Sequence, residues 1–346
     1  LSMQLKSVTE ADVAGKRVLV RVDYNVPFVD GKITDDARIK ASVPTIELLK
    51  QKGAAHITLM SHLGRPEGVV VEELRTAPLF AHLSTLTNTS DVEMLENLRF
   101  NAGEESNDAS FAAELATHGE VFINDAFAVC HRPAASVVGI TKLLPSYAGL
   151  LVQKEVEEIS KALTPPEPAV AIVGGAKFET KIPLLTKLLE TYGQIFLGGA
   201  LANDMLKARG VDIKKSVASD TPVPPEMVAD ARILVPEDYV WLGDMIMDIG
   251  PETSHHWSTM LAMQKFVLWN GPLGWYEKGF AAGTDAIAAA LIASHASAVI
   301  GGGNTAEVVS RVAFDPEKVF VSTGGGAMLE LITAGTLPGI EPLRVV

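Results

Sequence analysis

Short apolar runs rich in β-branched residues recur along this chain, with helix-length stretches between them. That alternation limits the fold more than any other feature. The runs lie near 17–22 (RVLVRV), 55–60 (AHITLM), 121–124 (VFIN), 169–173 (AVAIV), 194–197 (QIFL), 266–269 (FVLW), 298–300 (AVI) and 318–321 (KVFV). Continuous apolar strands separated by helices predict a parallel sheet covered by helices on both faces. At 346 residues the chain exceeds one ordinary core and predicts two α/β domains. The boundary is expected between about 150 and 168. There Val152, Val156, Ile159 and Leu163 fall at helical spacing before Pro165, Pro166 and Pro168 stop the helix.

Charge and composition exclude several classes. A formal net charge of −13 argues against general nucleic-acid binding, which relies on basic surface. No run approaches the roughly 18 apolar residues of a membrane span, so no membrane partner is expected. Lys6, Glu10, Asp12, Lys16 and Arg17 interrupt the first residues and leave no signal-peptide core. The single cysteine, Cys130, cannot form an internal disulfide, which fits a reducing compartment; a cytoplasmic location is expected.

In open α/β sheets ligands bind beyond the carboxyl ends of the strands, so the residues after each run carry the chemistry. The two halves differ there. In the first half the runs lead into Asp23 and Asn25, His62 and Arg65, and His131 and Arg132; Arg99 follows EMLENL and Arg38 opens a helix. Arginine presents paired planar donors suited to phosphate and carboxylate oxygens, so several converging would hold a small polyanion. Any one alone is more simply a surface charge, and Asp23 and Asn25 alone are ordinary turn residues. In the second half the runs end in glycine: Gly174-Gly175, Gly198-Gly199, Gly271, Gly301-Gly302-Gly303 and Gly324-Gly325-Gly326. Such turns let backbone N–H groups approach phosphate oxygens, and five in one half imply a nucleotide bed. Lys177 and Lys181 stand four apart after Gly175 and share one face if that stretch is helical; two cations beside a glycine turn would suit a polyphosphate.

There is no G-x-x-x-x-G-K-[ST] P-loop and no protein-kinase D-F-G. The stretch from Gly301 to Ala306 matches a loose dinucleotide pattern, but the next strand ends in Ser322-Thr323 and not in an acidic residue. A nicotinamide-dependent oxidoreductase rests on that match alone. The pair His255-His256 has no partner at zinc-ligand spacing.

The segments RVDYNVP, GKITDDARI, SHLGRP, ENLRF, NDAFAVCHRPAASVVGI, GGAKFETKI, WNGPLGWYE, GGGNTA and STGGGAMLELI follow one another between residues 21 and 332. Together they closely resemble the signature segments of the phosphoglycerate kinase family. The resemblance implies an α/β fold of two Rossmann-like domains, each a parallel β-sheet flanked by helices. Residues 1–150 would bind phosphoglycerate, 151–166 would form the interdomain helix and hinge, 167–332 would bind nucleotide, and 333–346 would return to the first domain.

It also implies the glycolytic transfer of a phosphoryl group between 1,3-bisphosphoglycerate and ADP, giving 3-phosphoglycerate and ATP, with Mg²⁺ carried as MgADP or MgATP. A monomer is expected. Asp23, Tyr24, Asn25, Arg38, His62, Leu63, Gly64, Arg65, Arg99 and Arg132 would bind phosphoglycerate. Lys177, Lys181, Gly198, Gly199, Gly250, Asn270, Pro272, Glu277, Gly302, Gly303, Asn304 and Thr305 would bind the nucleotide, with Asn304 at the metal. Arg38, Lys177, Lys181, Gly325 and Gly326 would act at the transferring group.

Three features depart from the family pattern. The chain is compressed between about 210 and 250. Trp275 and Tyr276 stand where an aliphatic residue and a phenylalanine are common, so the nucleotide pocket is expected to be reshaped. Asn304 stands where an acidic residue is usual, which would leave the metal held mainly by nucleotide phosphates. These departures leave open a catalytically weakened, phosphoglycerate kinase-like nucleotide-binding protein.

Overall fold

Residues 17–21 (RVLVR) are buried at four of five positions, and in the computed structural model they form the middle strand of a sheet. The structure describes residues 3–29, 31–302 and 312–345. The chain divides into two units, Leu1–Glu157 with Ala334–Val346, and Glu158–Thr333.

In the first unit β1 (Arg17–Arg21) is followed by a small antiparallel pair, β2 (Phe28–Val29) and β3 (Lys32–Ile33). Then come α1 (Ala37–Gln51), β4 (His56–Met60), α2 (Ala77–Leu86), β5 (Val92–Met94), α3 (Ala109–Ala116), β6 (Val121–Asn124) and β7 (Ser146–Ala148). The sheet is parallel, in the order β5-β4-β1-β6-β7. Its interior positions, among them Val18, Val20, Leu59 and Ile123, are fully buried. Both faces are covered, which explains why these strands are apolar throughout and do not alternate. The last residues belong to this unit through backbone bonds from Gly339 N to Cys130 O and from Lys6 N to Leu343 O, each 2.8 Å.

Helix α4 (Leu150–Leu163) carries the 3.6-residue pattern expected of it, with Val152, Val156 and Ile159 buried. The second unit continues with β8 (Ala169–Val173), α5 (Ile182–Leu189), β9 (Gln194–Leu197), α6 (Gly199–Ala208), α7 (Pro225–Ala229) and β10 (Ile233–Leu234). An antiparallel pair, β11 (Tyr239–Leu242) and β12 (Met245–Ile249), precedes α8 (Pro251–Leu261), β13 (Phe266–Asn270), α9 (Ala282–Ala293) and β14 (Ser297–Gly301). The described elements end with β15 (Val319–Val321) and α10 (Gly325–Ala334). The second sheet is also parallel, ordered β10-β9-β8-β13-β14-β15. Its core includes Phe196 stacked on Trp257 at 4.7 Å between ring centroids.

All eight apolar runs read from the sequence are strands. In the two parallel sheets the strands it did not show, β5, β7 and β10, are two or three residues long and sit at sheet edges; the antiparallel pairs β2–β3 and β11–β12 were not read either. An edge strand this short, with one paired side, needs no continuous apolar run.

Candidate active site

In the first unit the carboxyl ends of four neighbouring strands each deliver part of one polar cluster. Beyond β1, Asp23 is nearly buried and accepts from Arg38 Nη1 at 2.6 Å through Oδ2 and from Asn25 N at 3.1 Å through Oδ1. Arg38, in the first turn of α1, donates also to Asn25 O at 3.3 Å. Asn25 Oδ1 in turn accepts from Gly64 N at 3.0 Å, tying the β1 end to the β4 end. Arg99, in the turn after β5, donates to Gly64 O at 2.7 Å. Arg99 and Arg132 lie 3.5 and 3.7 Å from the same Glu105 carboxylate. One bonded network therefore runs from Asp23 through Arg38, Asn25 and Gly64 to Arg99.

His62 is buried at the centre of this charge. Arg21 Nη2 lies 3.2 Å from its Nδ1, and because a guanidinium has no acceptor, Nδ1 accepts and the ring proton sits on Nε2. Burial first, then the positive charges of Arg21, Arg99, Arg38 and Arg132, hold its pKa well below the usual histidine value. Histidine 62 is thus neutral, and four arginines from four separate segments converge on it.

The expected phosphoglycerate residues do not all present side chains. The Tyr24 phenol is fully buried and bonded to Ser42 Oγ at 2.7 Å, and Leu63 is buried, so these two stand in the core. Arg65 is exposed at the rim. Asn97 was not read from the sequence. It holds the loop by accepting from Leu63 N and Arg99 N and donating to Leu63 O and Leu74 O. Its only signal was its place inside ENLRF. Arg21, read as part of a strand, proved to be the residue that orients His62.

In the second unit the glycine turns meet closely. Gly174 N donates to Asn270 O at 2.7 Å, and a Cβ at Gly174 would come within 2.0 Å of Pro272 O. Gly199, at φ +59°, donates to Leu273 O at 2.9 Å, next to the Gly175 backbone. These approaches exclude any side chain and leave backbone along the strand ends. Gly198 caps α6, and Gly250 caps α8 beside Asp238.

The stretch from Lys177 to Lys181 is not helical, so the two lysines do not share a helical face. Lys177 is left-handed at φ +64°, a 3₁₀ turn follows at Phe178–Thr180, and Lys181 only then begins α5. A positive φ at the glycine turn breaks the helix before it can start. Lys181 Nζ donates to Asn270 Oδ1 at 3.2 Å, and Asn270 Nδ2 donates to Gly301 O at 2.8 Å. Burial lowers the Lys181 pKa. Gly302, at φ +108°, packs against Gly325, whose Cβ would lie 2.4 Å from the Gly302 Cα; Gly326 faces open space. Gly303, Asn304 and Thr305 lie outside the described residues.

A cavity of about 320 Å³ opens beside these turns. Gly175, Gly199, Pro272 and Glu277 line it, together with Asn203, Tyr239, Asp248 and Trp275. Gly198, Gly250 and Asn270 flank it without lining it. Asp248, pushed up to about 6 by burial, accepts from Ile249 N and Gly283 N and so anchors the loop behind the cavity.

Comparison with known proteins bears on both sites. Residues 8–93 and 87–335 match the family model for phosphoglycerate kinase. The chain belongs to the phosphoglycerate kinase family. A curated phosphoglycerate kinase from Moorella thermoacetica is 39% identical, covering 97% of this chain and 98% of its own. The solved phosphoglycerate kinase of Coxiella burnetii has a TM-score of 0.86 at 34% identity, and that of Pyrococcus horikoshii OT3 has 0.82 at 28%. Each covers 98% of both chains. The protein is therefore an enzyme, a kinase with phosphoglycerate and adenine nucleotide as its substrate classes, and no observation favours the catalytically weakened or the oxidoreductase reading. Among the described residues no helix is long and apolar enough to cross a membrane.

Proposed function

We propose that phosphoglycerate binds at the arginine cluster of the first unit and the nucleotide at the glycine turns of the second. The terminal oxygen of ADP attacks the acyl phosphate of 1,3-bisphosphoglycerate in line. A new P–O bond forms to ADP, the acyl P–O bond breaks, and the carboxylate of 3-phosphoglycerate leaves with the bonding pair. Both oxygens are anionic, so no general base is needed; the demand is for positioning and charge neutralisation. Arg38, fixed by Asp23, and Lys177 with Lys181 supply that charge, and the turns at Gly302, Gly325 and Gly326 supply backbone donors. Transfer requires the substrates to meet away from water, so turnover includes a closure step.

Magnesium enters with the nucleotide substrate. Among the described residues no group of three or more His, Cys, Asp or Glu side chains could hold a metal ion, and no step is assigned to a protein-held one. Asn304 would offer the metal a neutral oxygen, which would leave the nucleotide phosphates as its main ligands. A monomer is proposed on the family resemblance alone. The acidic surface and one buried thiol support a cytoplasmic location.

The observation that carries this reading is the convergence of Arg21, Arg38, Arg99 and Arg132 on one neutral histidine. The test is turnover of 3-phosphoglycerate with MgATP, coupled to glyceraldehyde-3-phosphate dehydrogenase. Turnover lost in both Arg38→Ala and Lys177→Ala supports the assignment. Turnover retained in either variant removes that residue from the reaction.

A further inference from the structure

Trp275 stands in the loop after β13, and its backbone N donates to Met247 O of β12 at 2.7 Å. Gly274 beside it is packed so closely that a Cβ there would meet the Asp248 carboxylate and Phe280 O, each at 2.4 Å. The loop backbone is therefore fixed on two sides. The half-buried indole lines the cavity that Gly199 and Glu277 also line. Lys278 Nζ lies 3.7 Å from the centroid of the Trp275 ring. Trp275 is among the residues that line the cavity and Lys278 is not. A cation at that distance is attracted by the ring quadrupole and restrains the indole before any ligand arrives. Ala200, Pro272, Leu273 and Ile249 add apolar wall to a cavity that Asn203, Asp248 and Glu277 also line.

We infer that Trp275 is a base-stacking residue: its indole, held by Lys278, forms a flat wall on which the nucleobase of the substrate nucleotide packs. This rests on the assignment of the cavity to the nucleotide, and it makes Trp275 a positioning residue for the base. Stacking is indifferent to which base is present, since every base has a π face. The wall thus contributes affinity for nucleotides as a class and leaves the phosphates to the glycine turns.

The indole provides its own probe. Trp257 and Trp269 are buried in the core, and Trp241 lies on β11 with Lys214 over its ring, so Trp275 is the tryptophan placed to report on the cavity. Intrinsic fluorescence is titrated with ADP and with inorganic pyrophosphate, in the wild type, Trp275→Val and Trp275→Phe, alongside Michaelis constants for both substrates. ADP is expected to quench the wild type and pyrophosphate is not, and Trp275→Val loses the quench. Its nucleotide KM rises about tenfold, within what one base–aromatic stack contributes, while the KM for 3-phosphoglycerate stays put. Trp275→Phe recovers most of the nucleotide KM, which separates stacking from loss of fold. A wild-type nucleotide KM in Trp275→Val, or equal quenching by pyrophosphate, overturns the inference and leaves the kinase assignment intact. ADP quenching without any turnover of phosphoglycerate would support the stack and sink the kinase assignment instead.

Discussion

Arg38 Nη1 lies 2.6 Å from Asp23 Oδ2, with the carboxylate 6% exposed and the guanidinium 36% exposed. The buried partner holds the accessible one, so the anion-binding group is oriented before substrate arrives. Asp23→Asn keeps the shape and removes the charge-assisted bond, which is worth roughly 1.5–3 kcal/mol. We expect kcat/KM for 3-phosphoglycerate to fall about tenfold to a hundredfold, with the nucleotide KM unchanged. Steady-state kinetics varying each substrate in turn checks this.

Glu105 offers a carboxylate to both Arg99 and Arg132, and so competes with an acidic substrate for them. Glu105 is exposed and the distances exceed 3.4 Å, so the pairing is weak and screened by salt. Glu105→Gln should lower the KM for 3-phosphoglycerate about twofold to fivefold in low salt. The gain should vanish at high ionic strength, and a gain that persists there would point to another cause.

Lys177 is held at φ +64°, where a β-carbon is disfavoured by about 1–2 kcal/mol. The strain places a cation at the glycine turn. Lys177→Gly should therefore raise the melting temperature of the nucleotide-binding unit by a few degrees while turnover is lost. Calorimetry and the coupled assay, run on one preparation, would show stability and activity moving in opposite directions.

Asp125 follows β6, is fully buried, and accepts from Leu151 N in the first turn of α4 at 2.9 Å. Burial pushes its carboxyl up to about 7, against the lowering effect of bonds from Thr45, Leu151 and Val152. With a folded pKa above the unfolded one, its stabilising contribution is complete below about pH 4 and is lost as pH rises through about 7. The effect is at most on the order of 4 kcal/mol. Asp125→Asn should flatten that dependence and raise the melting temperature at pH 8 more than at pH 5. His62 acts in the opposite sense: its depressed pKa costs stability as pH falls below about 6.5, so the two are separated by testing His62→Gln independently.

Much of the fold was legible because a doubly covered parallel sheet writes its strands as unbroken apolar runs. The edge strands β5, β7 and β10 escaped because one paired side demands little of their residues, although the edge strand β15 was read. The arginines after β4, β5 and β6 and the glycines after β8, β9 and β14 were visible for the same topological reason, since ligands collect at carboxyl ends. Asn97 and Glu105 in their turns and Asn203 in α6 were not, because an amide or carboxylate has the same appearance in the sequence whether it bridges two segments or faces water. The arrangement of Lys177 and Lys181 stayed open in the sequence because spacing reports a helical face only where the backbone is helical, and a left-handed residue cannot be told from composition.

By itself the sequence determined the order of strands and helices, the family, and which residue types stand at each strand end. Tertiary structure alone decided which ends are neighbours. Pairing β1 between β4 and β6 is a non-local choice, and it brings Arg21, Arg38, Arg99 and Arg132 around His62. Pairing β13 between β8 and β14 does the same for Lys181, Asn270 and Gly301. Periodicity records which face of a strand is buried, but the partner across the sheet is set by packing the whole core, and the site exists only once that packing is complete.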